Sequence, residues 1–289
     1  MSDNFESSLI NLGELSKPAT LLVEKISDAV GGIFKPYQIV RVAKAESQAD
    51  RVRAEGQIEI SDLQRRAFHR FLEEEGGKQK NIEGITRKAL PLVEESSQPN
   101  EIEDDWITNF FDRGRLISDD QMQSLWSRVL AGEANSPGAF SKRTISFLSG
   151  LDKNEAEWFT RLCGFVWKTD SGFPIPMIYD DLRNFYPQHG LPDDGFRHLE
   201  SIGLISVQMK GFIDDRSMSK IGLSYFGEKV RLDLSSANKK PFNFGMAVFT
   251  KVGEELAPIC ESEPVSGYFD SVTKLWEKSG ILVGLERPS

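Results

Sequence analysis

Residues 104–151 read DDWITNFFDRGRLISDDQMQSLWSRVLAGEANSPGAFSKRTISFLSGL, and this stretch decides the fold class. Ser118, followed by two aspartates, is a typical helix start because short polar side chains cap the free backbone N–H groups. Gly132 and Pro137 then end the helix. Between these signals, apolar residues recur at the three- and four-residue spacing of a buried helix face: Met122, Leu125, Trp126, Val129 and Leu130. The stretch therefore predicts a helical central domain.

An amphipathic helix is predicted near the start of the chain, over residues 19–33. Its apolar positions share one face: Leu22, Val23, Ile26, Val30 and Ile33. A helix this short needs a surface against which to bury that face. The rest of the chain, a second copy and a membrane surface all fit this requirement, so the sequence leaves membrane binding through residues 19–33 open.

A long helix is predicted from Tyr37 to Glu75, with a narrow apolar seam that includes Leu63, Ala67 and Phe71. With about 1.5 Å of rise per residue it is on the order of 60 Å long, more than a small domain needs. Gly76-Gly77 is the predicted reversal, leading to a second helix with Ile82, Ile85 and Leu90. The long helix either folds back on this second helix or forms a coiled coil with another chain.

Behind the central segment, the chain changes character from residue 169 onward. Helices are predicted at 178–186 and 193–203, and Thr250 caps a later one. Short β-prone runs are predicted at 204–207, 221–226, 230–234 and 246–249. The tail is predicted to be helical at 266–278 and extended at 281–285, and to pack back on this domain. Helix, helix, strand and hairpin is the order of a winged-helix domain.

The predicted fold is mainly α, with a winged-helix-like α+β carboxy-terminal domain. Its domains are an amphipathic and long-helix region (1–93), a central helical domain (94–168) and the winged-helix-like domain with its helical tail (169–289). The composition is that of a globular protein, with 39% hydrophobic and 27% charged residues. The two cysteines and the acidic start without a secretory signal predict a reducing, cytoplasmic location.

The sequence lacks the patterns that carry common catalytic chemistry. It has neither a phosphate-binding glycine loop nor a Ser nucleophile elbow, and its three histidines lack zinc-binding spacing. Cys163 lies in an apolar helical context, which favours a small buried hydrophobe over an activated thiolate. The carboxylates of adjacent aspartates on a helix point in different directions, so such a pair does not form a site by itself. A metal-dependent nuclease whose carboxylates come from aspartates far apart in the sequence is the one enzyme hypothesis left open. We expect no enzyme activity and no cofactor.

Binding to nucleic acid is not expected either, because the formal net charge is −9. The segment 191–220, which holds the predicted recognition helix, carries four basic and five acidic residues. The best basic cluster lies elsewhere, at Arg65, Arg66 and Arg70. We interpret these arginines either as a binding surface or as a solvated face whose positive charges pair with the glutamates at 73–75.

The central block resembles a bacterial family of unknown function related to the abortive-infection alpha proteins. The resemblance lies in residues 105–167, above all in Ser118, Gln121, Gln123, Leu125, Trp126, Leu130, Ala131, Pro137, Phe140, Ser141 and Leu148. It extends to the upstream strings KPATLLVEKISDAVGGIFKPYQIVRVAKAES and LQRRAFHRFLEEE. The resemblance implies a role in defence against bacteriophage, with a helical front half and a more variable rear domain. It supplies no catalytic residues.

The turn after the central helix is the last candidate site. Glu133, Asn135 and the nearby Arg143 are polar where packing alone does not require it, which predicts a contact surface or a helix-end site. The function predicted overall is a non-enzymatic interaction or assembly protein that forms a homo-oligomer or binds a protein partner. The alternatives are a membrane-acting effector that uses residues 19–33 and a DNA-binding regulator.

Overall fold

The computed structural model describes residues 15–30, 62–208, 213–214, 220–235 and 242–286. The chain divides into a front unit, residues 1–149, and a rear unit, residues 150–289. These units differ from the three predicted segments, whose boundaries lie at 93/94 and 168/169. The difference arises because the helix at 62–89 packs on those at 104–114 and 120–135, so the first segment and most of the central segment share one core.

The front unit is helical throughout its described residues. Its α-helices are α1 (Lys17–Val30), α2 (Asp62–Ala89), α3 (Asp104–Gly114), α4 (Asp120–Asn135) and α5 (Lys142–Leu148). Asp119 caps α4 by accepting the backbone N–H groups of residues 121 and 122. The predicted stripe on α4 is buried, and Trp126 is fully enclosed with its ring centroid 5.0 Å from that of Phe110. The helical central prediction is confirmed.

The predicted amphipathic helix is present as α1, and its residues 31–33 lie outside the described part of the chain. Leu22 and Ile26 have no exposed surface, and α1 packs on α3. Lys25 forms an ion pair with Asp104 of α3 at 2.6 Å. In this structure the surface that buries the apolar face of α1 is therefore the rest of the same unit.

The predicted reversal at Gly76-Gly77 is wrong. Helix α2 runs for 28 residues through both glycines and continues through Ile82 and Ile85. Glycine costs about 1 kcal/mol in a helix relative to alanine, which is a small penalty in a helix fixed by packing farther along. Residues 62–75 of the predicted long helix therefore do not fold back on residues 78–89, because both segments belong to one helix. Residues 37–61 of the predicted long helix lie outside the described residues.

The rear unit is a mixture of helices and antiparallel strands. Its α-helices are α6 (Lys153–Cys163), α7 (Asp193–Ser201), α8 (Lys251–Leu256) and α9 (Tyr268–Lys278). Its described strands are β1 (Val166–Thr169), β2 (Pro174–Pro176), β3 (Ile205–Val207), β4 (Ile213–Asp214), β5 (Lys220–Tyr225), β6 (Glu228–Asp233), β7 (Phe242–Asn243), β8 (Ala247–Phe249) and β9 (Leu282–Glu286). The main sheet has the order β2-β1-β5-β6-β9, while β3 pairs with β8 and β4 with β7.

These elements make the chain a mixed α+β protein. The predicted helix α7, the Thr250 cap of α8 and the return of the tail as β9 on β6 are confirmed. The predicted helix at 178–186 is wrong, since only a single 3₁₀ turn forms there, at Asp180–Leu182. The winged-helix arrangement is not confirmed, because the strand after α7 pairs with β8 and the β5–β6 hairpin belongs to the other sheet.

Candidate interaction surface

One face of α2 passes from the core of the front unit into solvent. Ile85 and Ala89 are fully buried, whereas Phe71 is 56% exposed. Phe71 and Ala89 lie on the same line of the helix, because the 18 positions between them make about five turns. The face that holds α2 to the front unit therefore extends along the amino-terminal half of the helix, where its side chains are exposed.

The buried half of α2 is fixed by polar contacts as well as by packing. Asn81 donates from its amide nitrogen to the carbonyl oxygen of Arg115 at 2.9 Å. Lys88 pairs with the carboxylate of Asp120 at 2.6 Å. Gly84 lets α4 approach closely, because a Cβ atom at this position would lie 2.7 Å from the amide oxygen of Gln123. These contacts hold the direction of the exposed half relative to the front unit.

The exposed half carries a continuous set of apolar side chains, which we call the exposed stripe. Its members are Leu63, Ala67, Phe68, Phe71 and Leu72. Leu63 is 68% exposed and Phe68 is 45% exposed. Burying a leucine or phenylalanine side chain stabilises a protein by about 1.5 to 3 kcal/mol, so a row of them in water is a binding signal. Sequence reasoning found Leu63, Ala67 and Phe71 but missed Phe68 and Leu72, whose four-residue spacing was the available signal.

The three predicted arginines are exposed; Arg65 and Arg70 border this stripe on its two sides, and Arg66 lies on the opposite face. Arg66 forms an ion pair with Asp62 at 2.7 Å, and Arg65 approaches the same carboxylate at 4.0 Å. Arg70 pairs with Glu74 at 3.3 Å, as the solvated-face interpretation predicts for this residue. Exposed pairs one turn apart contribute less than about 1 kcal/mol, so these side chains exchange partners at little cost. Along the helix, positive charge at 65–70 is followed by negative charge at 73–75.

Glu133 and Asn135, which the sequence predicted to lie in a turn, lie in the last turn of α4 and make contacts inside the front unit. Glu133 is 2% exposed, and its carboxylate accepts the backbone N–H groups of Gly138 at 2.7 Å and Phe140 at 2.9 Å. Asn135 accepts the backbone N–H of Glu94 at 3.0 Å and donates to the carbonyl of Leu92 at 3.0 Å. These contacts join the end of α4 to residues 92–94 and to the loop at 138–140.

Arg143 differs from Glu133 in its exposure to solvent. It lies in the first turn of α5, and its side chain is exposed. Glu133, by contrast, is enclosed by the loop that it holds. A partner at this surface would reach Arg143 without reaching the Glu133 carboxylate.

Two described titratable groups of the rear unit, Cys163 and Glu155, serve packing and helix capping. Burial raises the pKa of the Cys163 thiol, which is only 2% exposed, so the predicted buried position is confirmed. Glu155 caps α6 through the backbone N–H of Asp152 and contacts His198 at 2.5 Å. Within the described residues, no group of three or more His, Cys, Asp or Glu side chains is arranged to hold a metal ion. None of the described helices combines the length and apolar character that a membrane span requires.

The fold and this surface define a mixed α+β protein with two units, one of which presents an exposed apolar helix face. Residues 65–273 match the family described as "Protein of unknown function (DUF2806)", so the chain belongs to that family. The predicted membership of a family of unknown function is confirmed, whereas no link to the abortive-infection proteins is shown. No curated protein and no solved structure gives a significant match.

Proposed function

We propose that this chain is a non-enzymatic assembly protein that docks to another protein through the exposed stripe of α2. One observation carries this proposal: the same helix face is fully buried at Ile85 and Ala89 and exposed at Phe68 and Phe71. A helix that needed only to complete the front unit would end its apolar pattern where its packing ends. Apolar side chains recur at residues 63–72, beyond the polar stretch 73–81, and their exposure gives a partner a binding surface.

The way α2 is held supports the same function. Its carboxy-terminal half is fixed by the contacts of Asn81 and Lys88, so the exposed half enters a complex already ordered as a helix. An ordered surface binds more tightly than a disordered one, because less conformational freedom is lost on association. Helix-to-helix docking through such a stripe is a common mode of protein recognition.

The alternatives have less support from the described residues. A membrane-acting effector would use the apolar face of α1, and Leu22 and Ile26 on that face are already enclosed by the front unit. A DNA-binding regulator would need uncompensated positive charge, and the arginines of α2 pair with neighbouring carboxylates. A role in defence against phage stays a prediction from the sequence resemblance alone.

Photocrosslinking in the native host tests the proposal. A photoreactive phenylalanine analogue replaces Phe71, and the matched control carries it in place of Glu73, which is exposed on the opposite face of the same helix. We expect ultraviolet light to produce a protein adduct from position 71 and none from position 73. No adduct from position 71, with the chain folded and expressed, would overturn the proposal.

A further inference from the structure

We infer that the partner on the exposed stripe is a second copy of this chain, whose α2 lies antiparallel to the first. This inference rests on the proposed function and adds the identity and orientation of the occupant. It is carried by the order of charges along the exposed half of α2 and by the position of the two phenylalanines between them.

The charges favour a self-complementary antiparallel pair. Arg65 and Arg70 border the exposed stripe on its two sides, and Glu74 and Glu75 follow on the same side of the helix, whereas Arg66 and Glu73 lie on the opposite face. Two copies in the same direction would place the arginines against arginines and the glutamates against glutamates. Two antiparallel copies place the basic segment of each beside the acidic segment of the other, and both sets of contacts form at once. A two-fold axis creates this arrangement from a single surface.

The apolar residues occupy the centre of that arrangement. Phe68 lies between Arg66 and Arg70, and Phe71 lies between Arg70 and the glutamates. A two-fold axis that crosses the helix near these positions brings the aromatic rings of the two copies together, with the charges around them. The intrachain ion pairs do not prevent this, because Asp62 and Glu74, which lie beside Arg65 and Arg70, are themselves exposed.

Thiol crosslinking of the purified full chain tests the orientation. Gln64→Cys and Glu75→Cys place single thiols on the stripe side of α2, about 16 Å apart along the helix axis. With a short bismaleimide, the antiparallel pair gives a 64–75 crosslink when the two variants are mixed and little crosslinking of either variant alone. A parallel pair gives the reverse. The wild-type chain is the control for Cys163 and Cys260, which are buried.

Charge reversal provides the second arm, with light-scattering mass as the readout. Replacing Arg65 and Arg70 with glutamate, or Glu74 and Glu75 with lysine, is expected to weaken self-association at least tenfold. Mixing the two variants is expected to restore it, because one exposed half is then acidic and the other basic. All four side chains are exposed, so both variants are expected to retain the fold.

Each outcome separates the inference from the proposed function. Same-residue crosslinks overturn the antiparallel orientation. A wild-type mass equal to the 32.5 kDa monomer at every concentration overturns the second copy as the partner. If photocrosslinking from position 71 then captures only other proteins, the docking function stands without self-association. Loss of that adduct removes the docking function itself.

Discussion

Replacing Glu133 with alanine should destabilise the front unit strongly. The carboxylate is buried and accepts two backbone N–H groups, from Gly138 and Phe140. A hydrogen bond to a charged group contributes about 1.5 to 3 kcal/mol, so losing both costs about 3 to 6 kcal/mol. The free energy of unfolding of a domain is typically about 5 to 15 kcal/mol, so this change removes a large part of it.

The measurement must report on the front unit alone, because tryptophans occur in both units. Urea unfolding followed by pulsed hydrogen exchange in peptides from 104–149 meets this need. Since stability falls by about 1 to 3 kcal/mol per molar urea, the midpoint should move down by about 2 M. Glu133→Gln should lower the free energy of unfolding by about half as much, because the single carbonyl oxygen of glutamine replaces only one of the two carboxylate oxygens.

Arg143→Ala is the matched control for this prediction. Arg143 is exposed on the neighbouring helix α5, so its removal should change stability by less than about 0.5 kcal/mol. A midpoint for Glu133→Ala within a few tenths of a molar of the wild-type value would refute the reasoning. It would mean that the two N–H groups find equivalent partners once the carboxylate is gone.

Three further predictions concern other parts of the chain. Gly76→Ala should stabilise α2 by about 1 kcal/mol, because a Cβ atom at this position meets open space. Gly132→Ala should destabilise α4, because its Cβ atom would lie 2.7 Å from the Phe140 ring. Thermal unfolding of the two variants compares these effects. Burial raises the pKa of Glu155, but its bonds to His198 and the Asp152 backbone outweigh this and hold the pKa below its ordinary 4.5. The stability that it contributes is therefore present above pH 4.5 and lost as the pH falls through its lower pKa in the folded chain, so Glu155→Gln should show a shallower loss of rear-unit stability in an acid titration. Vesicle flotation should leave the full chain unbound, because the apolar face of α1 is occupied; binding that is lost on deleting residues 17–30 would contradict this.

Local signals in the sequence were sufficient for most helices and several strands. The Ser118–Asp120 start and the apolar stripe led directly to α4, although Asp119 rather than Ser118 is the capping residue. Thr250 was correctly expected near the start of α8, where its hydroxyl accepts the Gly253 N–H. These features depend on contacts between residues three or four positions apart, which can be recognised from the spacing of residues in the sequence.

The errors came from forces that act over longer distances. Two adjacent glycines normally mark a turn, yet α2 continues through them because packing farther along the helix outweighs their helix penalty. The partner of β3 is β8, about 40 positions later, and no local pattern distinguishes this pairing from a hairpin with β5. The buried role of Glu133 likewise depends on the loop that returns over it.

The order of strands in the rear unit has a consequence for how the chain folds. Lys168 lies beside Ser224, and Leu232 lies beside Val283, so the sheet joins segments separated by more than 50 positions. Long connections must close before such pairs form, whereas the helices of the front unit begin from local turns. On dilution from denaturant, the front unit should acquire its protected amides first, and the rear sheet should set the slowest step.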